Sequence, residues 1–248
     1  IKLQPSGRLE QSFGMTDHMG ARRGYNVVSV GGESTWDRPA AMGVQQDGRI
    51  VVAGSPPLQT IGSVRYRRGA IVRFTQDGQL DPGFGHEGIT VLPAMGSPQR
   101  DDIVTGIALD AHGRLAGDDR ITVVGHSQFD NRAFVARLLA DGSLDRSFGE
   151  VEAHASEGGS HTGYVRFSAT LSGGVHAGLS QIQAARLLDD GRIILGGLGT
   201  DRGFTLMRLH DTGAIDAEFG VQGRVTVKFS APTEYDELVA LAIQANGK

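Results

Sequence analysis

Short runs of alternating apolar and polar residues, separated by glycine-bearing turns, fill most of the chain. Ile103, Ile107 and Leu109, then Ile121, Val123 and Val124, then Phe134 and Val135 stand in such runs. Alternation with period two between turn residues is the pattern of half-buried strands joined as hairpins. Between 101 and 150 it predicts strands at 103–109, 121–124 and 134–139, and a fourth after Phe148-Gly149. No segment of comparable length carries a helical period with caps, and only 181–188 is ambiguous.

The runs recur. Residues 1–14 align without gaps with 72–85, 136–149 and 207–220, each reading basic, apolar, two variable, a turn ending in Gly, one variable, Leu or Ile, an acid, two variable, Phe-Gly. The phenylalanines are Phe13, Phe84, Phe148 and Phe219, spaced by 71, 64 and 71 residues. A second motif alternates with the first: Asp47-Gly48-Arg49-Ile50-Val51-Val52-Ala53-Gly54 returns at 190–197, returns interrupted at 112–125, and starts again at Asn246-Gly247-Lys248. Four antiparallel strands per long repeat describe propeller blades better than solenoid coils. A β-sandwich would leave the strict alternation of motifs unexplained. The expected fold is all-β: a β-propeller of four-stranded antiparallel blades with about four repeats, three complete and one composite or partial, forming a single repeat domain over 1–248. A closed composite blade would join 235–248 to 1–14 but lack a strand equivalent to 50–54. The expectation is therefore that the native polypeptide continues past one or both ends.

Leu138-Leu139-Ala140-Asp141-Gly142-Ser143-Leu144-Asp145-Arg146-Ser147-Phe148-Gly149, alternating with the Asp-Gly-Arg-Ile-Val-Val-Ala-Gly segment, resembles the delta-60 repeat found in tandem in large bacterial proteins. The resemblance covers nearly the whole chain. It implies a propeller-like β fold and an extracellular or cell-envelope setting, and it supplies no catalytic residues. The chain departs from the pattern in extra residues at 15–40 and 150–180.

Within the repeat, Arg73 and Asp81, Arg137 and Asp145, and Arg208 and Asp216 lie eight apart across a turn, as do Lys2 and Glu10. This spacing predicts cross-strand ion pairs rather than catalytic acids. The four phenylalanines predict one buried ring per blade. The Asp-Gly pairs at 77–78, 141–142 and 190–191 read as turns, because they lack the ligand spacing of a calcium loop.

Composition narrows the function. The 37 glycines fit many short strands and tight turns. A formal charge of −4 supplies no general attraction to nucleic acid, and no apolar run reaches the length of a membrane helix. With no cysteine, disulfides, thiolate zinc sites and a cysteine nucleophile are excluded. No cofactor and no metal are expected.

Longer connections are expected to gather on one face of the blades, at 15–40, 55–68, 126–132, 150–180 and 198–203. They carry the candidate binding residues Arg22, Arg23, Tyr25, Trp36, Arg65, Tyr66, Arg67, His126, His154, His161, Tyr164 and His176. Loops on a rigid scaffold are the usual place for recognition. The expected function is a non-catalytic recognition or scaffold module, holding a protein or glycan on that face. The alternative is an extracellular polymer-degrading hydrolase or lyase using the same histidines and arginines.

Overall fold

The structure is a computed structural model. It describes every residue except 32–36, 111–118, 129–131, 152–160, 169–177, 232–233, 237 and 245–248. The described residues form strands, turns and loops, with no helix long and apolar enough to cross a membrane.

Three four-stranded antiparallel sheets follow one another along the chain. Sheet 1 contains β1 (Pro39–Val44), β2 (Ile50–Gly54), β5 (Ala70–Phe74) and β6 (Ile89–Val91), in that order. Between β2 and β5 stands a separate hairpin of β3 (Pro57–Ile61) and β4 (Val64–Arg67). Sheet 2 contains β7 (Asp102–Leu109), β8 (Ile121–Ser127), β9 (Arg132–Leu138) and β10 (Tyr164–Ser168). Sheet 3 contains β11 (Leu179–Leu187), β12 (Ile193–Gly199), β13 (Phe204–Leu209) and β14 (Arg224–Val227). The ambiguous segment 181–188 is thus nearly all strand. Ahead of sheet 1, residues 1–26 form a reduced unit with bridges Leu3–Leu9 and Thr16–Arg22.

Period-two patterning places alternate residues on opposite faces of each sheet, and both faces of sheet 2 are covered. Ile121, Val123, Ala136 and Leu138 pack with Val51, Ala53 and Ile71 of sheet 1. Val124, Ala133, Val135, Val165 and Phe167 pack with Leu179, Ile182, Ile193 and Leu195 of sheet 3. The innermost strands β1, β7 and β11 meet in sequence. The all-β architecture, the repeat and the four-stranded antiparallel sheets agree with the sequence expectation. Sheet 2 packs on sheet 1 by one face and on sheet 3 by the other.

One placement differs. The extra residues after Gly14 and Gly149 precede the fourth strand instead of following it. The Lys2 and Arg137 amides donate to the Gly24 and Gly163 carbonyls, as Arg73 and Arg208 donate to Gly88 and Gly223. Gly24 and Gly163 are therefore the counterparts of Gly88 and Gly223. Residues 15–23, and 150, 151, 161 and 162 among those described around the second insertion, lie at the end of the strands that carries the short Gly turns, opposite the β3–β4 hairpin.

Candidate functional site

The residues recurring in every unit are occupied by structure. Arg73, Arg137 and Arg208 each donate from Nε to the carboxylate eight residues on, at 2.7 Å in every case. Their guanidinium groups lie over Phe84, Phe148 and Phe219, 4.6, 4.5 and 4.8 Å from the ring centroids, which adds cation–π attraction. A second arginine joins each carboxylate: Arg49 at 3.4 Å from Asp81, Arg120 at 3.8 Å from Asp145 and Arg192 at 3.1 Å from Asp216. Arg49 and Arg192 belong to the Asp-Gly-Arg motif, so the two motifs alternate because one neutralises the other. Lys2 and Glu10 depart from the pattern. Glu10 accepts from the Ser12 amide and hydroxyl, and Lys2 lies 5.7 Å from the Phe13 ring.

Burial pushes the Asp81 carboxyl up, but the Gly83 amide and then Arg73 and Arg49 more than offset it, leaving it below the usual carboxylate range. Asp145 is lowered in the same way against burial, by Ser147 and Arg137, and Asp216 by Arg208, Arg192 and the Glu218 amide. Such ionised, fully engaged carboxylates brace hairpins and offer no proton at neutral pH.

A third recurrence is invisible in the aligned motifs. Asp37 accepts from the Val30 and Gly31 amides, Asp102 from Met95 and Gly96, and Asp236 from Phe229 and Ser230. Asp37 and Asp102 close the loops that lead into β1 and β7, and Asp236 closes the loop that follows β14. Asp102 is wholly buried, 3.7 Å from Arg68, and burial raises it above the ordinary value despite the bonds it accepts.

One concave feature with room for a ligand is an apolar cleft of about 370 Å³ between the reduced first unit and the outer face of sheet 1. Ile50, Val52, Val72 and Phe74 form its floor, and Phe13 and Val28 its opposite wall. These are the even-numbered positions of β2 and β5. In sheets 2 and 3 the corresponding face is covered by the sheet before it. Here the first unit supplies no complete sheet, so part of the face stays open. Asp37, Arg38 and Pro56 border the cleft at the end carrying the β3–β4 hairpin.

Of the twelve sequence candidates, the nine that are described lie at both ends of the strands. Arg22 is bound to Asp77, at 2.6 Å between Nη2 and the carboxylate, and fastens the first unit to sheet 1. Arg23 is exposed beside it and Tyr25 is half-buried. Arg65 donates to the Gly31 carbonyl at 3.0 Å and ties the hairpin to the segment lining the cleft. Tyr66 follows it in β4. Arg67 donates to the Ser55 carbonyl at 2.7 Å and lies 3.9 Å from Asp101. His126 is the penultimate residue of β8, with Nδ1 buried and without a hydrogen-bond partner among the described residues, and burial lowers its pKa. His161 and Tyr164 lie at the opposite, short-turn end, His161 bridging Val151. Trp36, His154 and His176 fall outside the described residues. Among the described residues no three of His, Asp and Glu stand together as a metal would require.

The cleft was not legible from loop composition, because its floor comes from strands β2 and β5. The family described as a domain of unknown function (DUF5122) beta-propeller matches residues 60–84 and 116–148. No curated protein matches the chain. The family match spans the third-strand and Phe signature of two units, and it supports a β-propeller type of repeat.

Proposed function

We propose that this chain is a four-unit propeller array of the delta-60 type that acts outside the cytoplasm as a non-catalytic recognition module. It takes an extended, apolar protein segment in the cleft beside sheet 1. The observation that carries this reading is the cleft itself: an open apolar strand face, with Asp37 and Arg38 at one end to orient a peptide. An apolar floor favours a strand-like protein segment over a hydroxyl-rich glycan. Arg65 holds the β3–β4 hairpin against this region, which keeps part of the long-connection face in the reading. The recurring carboxylates are committed to arginines, and this favours binding over hydrolysis or lysis.

Trp36, the single tryptophan, adjoins Asp37 and Arg38 in sequence. Titrating the protein with a library of extended apolar peptides should change its intrinsic fluorescence saturably, and Val52→Asp should abolish the change. A fold check by circular dichroism accompanies that variant. Binding of glycans with no response to apolar peptides, or peptide binding unaffected by the folded Val52→Asp variant, would overturn the reading.

A further inference from the structure

The contact between sheets 2 and 3 is built from apolar side chains, Val124, Ala133, Val135, Val165 and Phe167 against Leu179, Ile182, Ile193 and Leu195. His126 belongs to the same face of sheet 2, because it stands two residues after Val124 in β8 and side chains alternate along a strand. Its cross-strand neighbours are Ile103 of β7 and Ala133 of β9, and neither side chain offers a hydrogen bond. The ring is half-buried, with Nδ1 fully buried and unpartnered among the described residues.

No charge compensates that nitrogen. Asp102, Arg132 and Arg166 flank Ile103, Ala133 and Phe167 in sequence and therefore point to the opposite face of sheet 2. Across the contact, β12 carries no charged residue, and Arg186 and Arg208 stand at the far ends of β11 and β13. In the turn between β12 and β13, Asp201 accepts from the Gly203 amide at 3.3 Å. Burial is the one influence that acts on His126, and it holds the pKa below the ordinary value.

A neutral imidazole suits this position and a protonated one does not. The neutral ring can keep its single proton on Nε2, which leaves Nδ1 as a bare acceptor. Imidazolium carries N–H on both nitrogens, so Nδ1–H becomes a charged donor held against apolar side chains with no acceptor. Leaving a buried donor or charge unpaired is costly. The unfolded chain, in which the ring is hydrated, takes up the proton more readily. Stability is therefore complete above the unfolded value of about 6.5 and is lost as pH falls from there toward the folded value.

We propose that His126 makes the contact between sheets 2 and 3 a pH-sensitive joint, closed while its imidazole is neutral and opened in mild acid by protonation at Nδ1. Opening brings water to the apolar faces of both sheets. The contact between sheets 1 and 2 responds differently. Its buried titratable group is Asp102, whose raised value adds stability as pH falls. Mild acid thus loosens one joint and spares the other. The cleft lies beyond sheet 1, so this device does not depend on the ligand reading.

The chain contains no cysteine, so a single introduced thiol reports solvent access without background. Val135→Cys places it on the sheet 3 side of β9 and Ala136→Cys on the sheet 1 side, at adjacent and completely buried positions. Labelling by a disulfide reagent active in acid is followed from about pH 8 to 5, each rate divided by that of the urea-unfolded protein at the same pH. Circular dichroism confirms the fold of each variant. The relative rate in Val135→Cys should be flat above about pH 6.5 and rise below it by up to about tenfold per pH unit, while Ala136→Cys stays flat. Adding His126→Leu should abolish the rise, and His126→Gln, neutral at every pH, serves where leucine prevents folding. A flat profile for Val135→Cys, equal rises at both positions, or a rise that survives the loss of His126 would each overturn the proposal.

Discussion

Arg137 donates from Nε to Asp145 at 2.7 Å and stacks 4.5 Å from the Phe148 centroid, so one side chain joins the turn, the ion pair and the aromatic core of its unit. Arg137 and Asp145 are 5% and 6% exposed. Removing one partner strands a buried charge, so Asp145→Asn or Arg137→Met should cost about 3–5 kcal/mol. The double variant should cost less than the sum, by denaturant unfolding. Arg137→Lys should not rescue the loss, since an ammonium cannot bond Asp145, stack on Phe148 and reach the Asp211 carbonyl together.

Acid should unfold the array through the same carboxylates. Asp81, Asp145 and Asp216 are lowered in the folded state, so their stabilisation is present above the unfolded carboxyl value near 3.9 and is lost as pH falls through the folded values. Asp102 has the opposite sign: its raised value contributes stability below the unfolded value, which is lost as pH rises through the folded one. Melting temperature followed against pH should fall in acid, and less steeply in Asp145→Asn than in the wild type.

The loop bracket predicts local damage. Asp102→Ala removes the acceptor for the Met95 and Gly96 amides and the carboxylate facing Arg68. Leaving such buried groups unpaired costs about 1–3 kcal/mol each. Hydrogen exchange should accelerate at Met95 and Gly96 first. Asp236→Ala should cost less overall, because Asp236 is only half-buried.

Junction packing can be separated from backbone strain by comparing two glycines with positive φ. Gly62, at φ 63°, has nothing within 4 Å of an added Cβ, so Gly62→Ala should cost about 1–2 kcal/mol for the left-handed backbone alone. Gly142, at φ 85°, would place the same atom 2.6 Å from Thr90 Oγ1 and 2.8 Å from the Gly85 amide nitrogen. Gly142→Ala should cost clearly more in denaturant unfolding, and the excess measures the contact between sheets 1 and 2.

The architecture was legible because the repeated residues brace the units themselves: Arg73 with Asp81 and Arg137 with Asp145 pair across the predicted turns, and Phe84 and Phe148 are buried as expected. Of the extra residues at 15–40 and 150–180, the described ones at 15–23, 150, 151, 161 and 162 stand at the other end of the strands from the one expected, because Phe-Gly does not mark the entry to the fourth strand. The marker of that entry is a later glycine, Gly24, Gly88, Gly163 or Gly223, all with positive φ. Its distance from Phe-Gly varies, so alignment on the phenylalanine hides it. The Asp37, Asp102 and Asp236 brackets escaped for a related reason, since each bonds amides six and seven residues back in loops of unlike sequence. The cleft depends on which sheet covers which face, and that is decided by contacts distant in the chain.

Sheet 2 has no solvent-facing side, being held between Ile71 on one flank and Leu195 on the other. Cooperativity must therefore pass through it. Weakening its contact with sheet 1 divides the molecule into two blocks that melt separately, whereas the same injury at an outer unit only frays an end. Calorimetry of a variant altered at Gly142 would then show two heat-absorption peaks in place of one, making the middle layer the point at which a single cooperative transition is kept or lost.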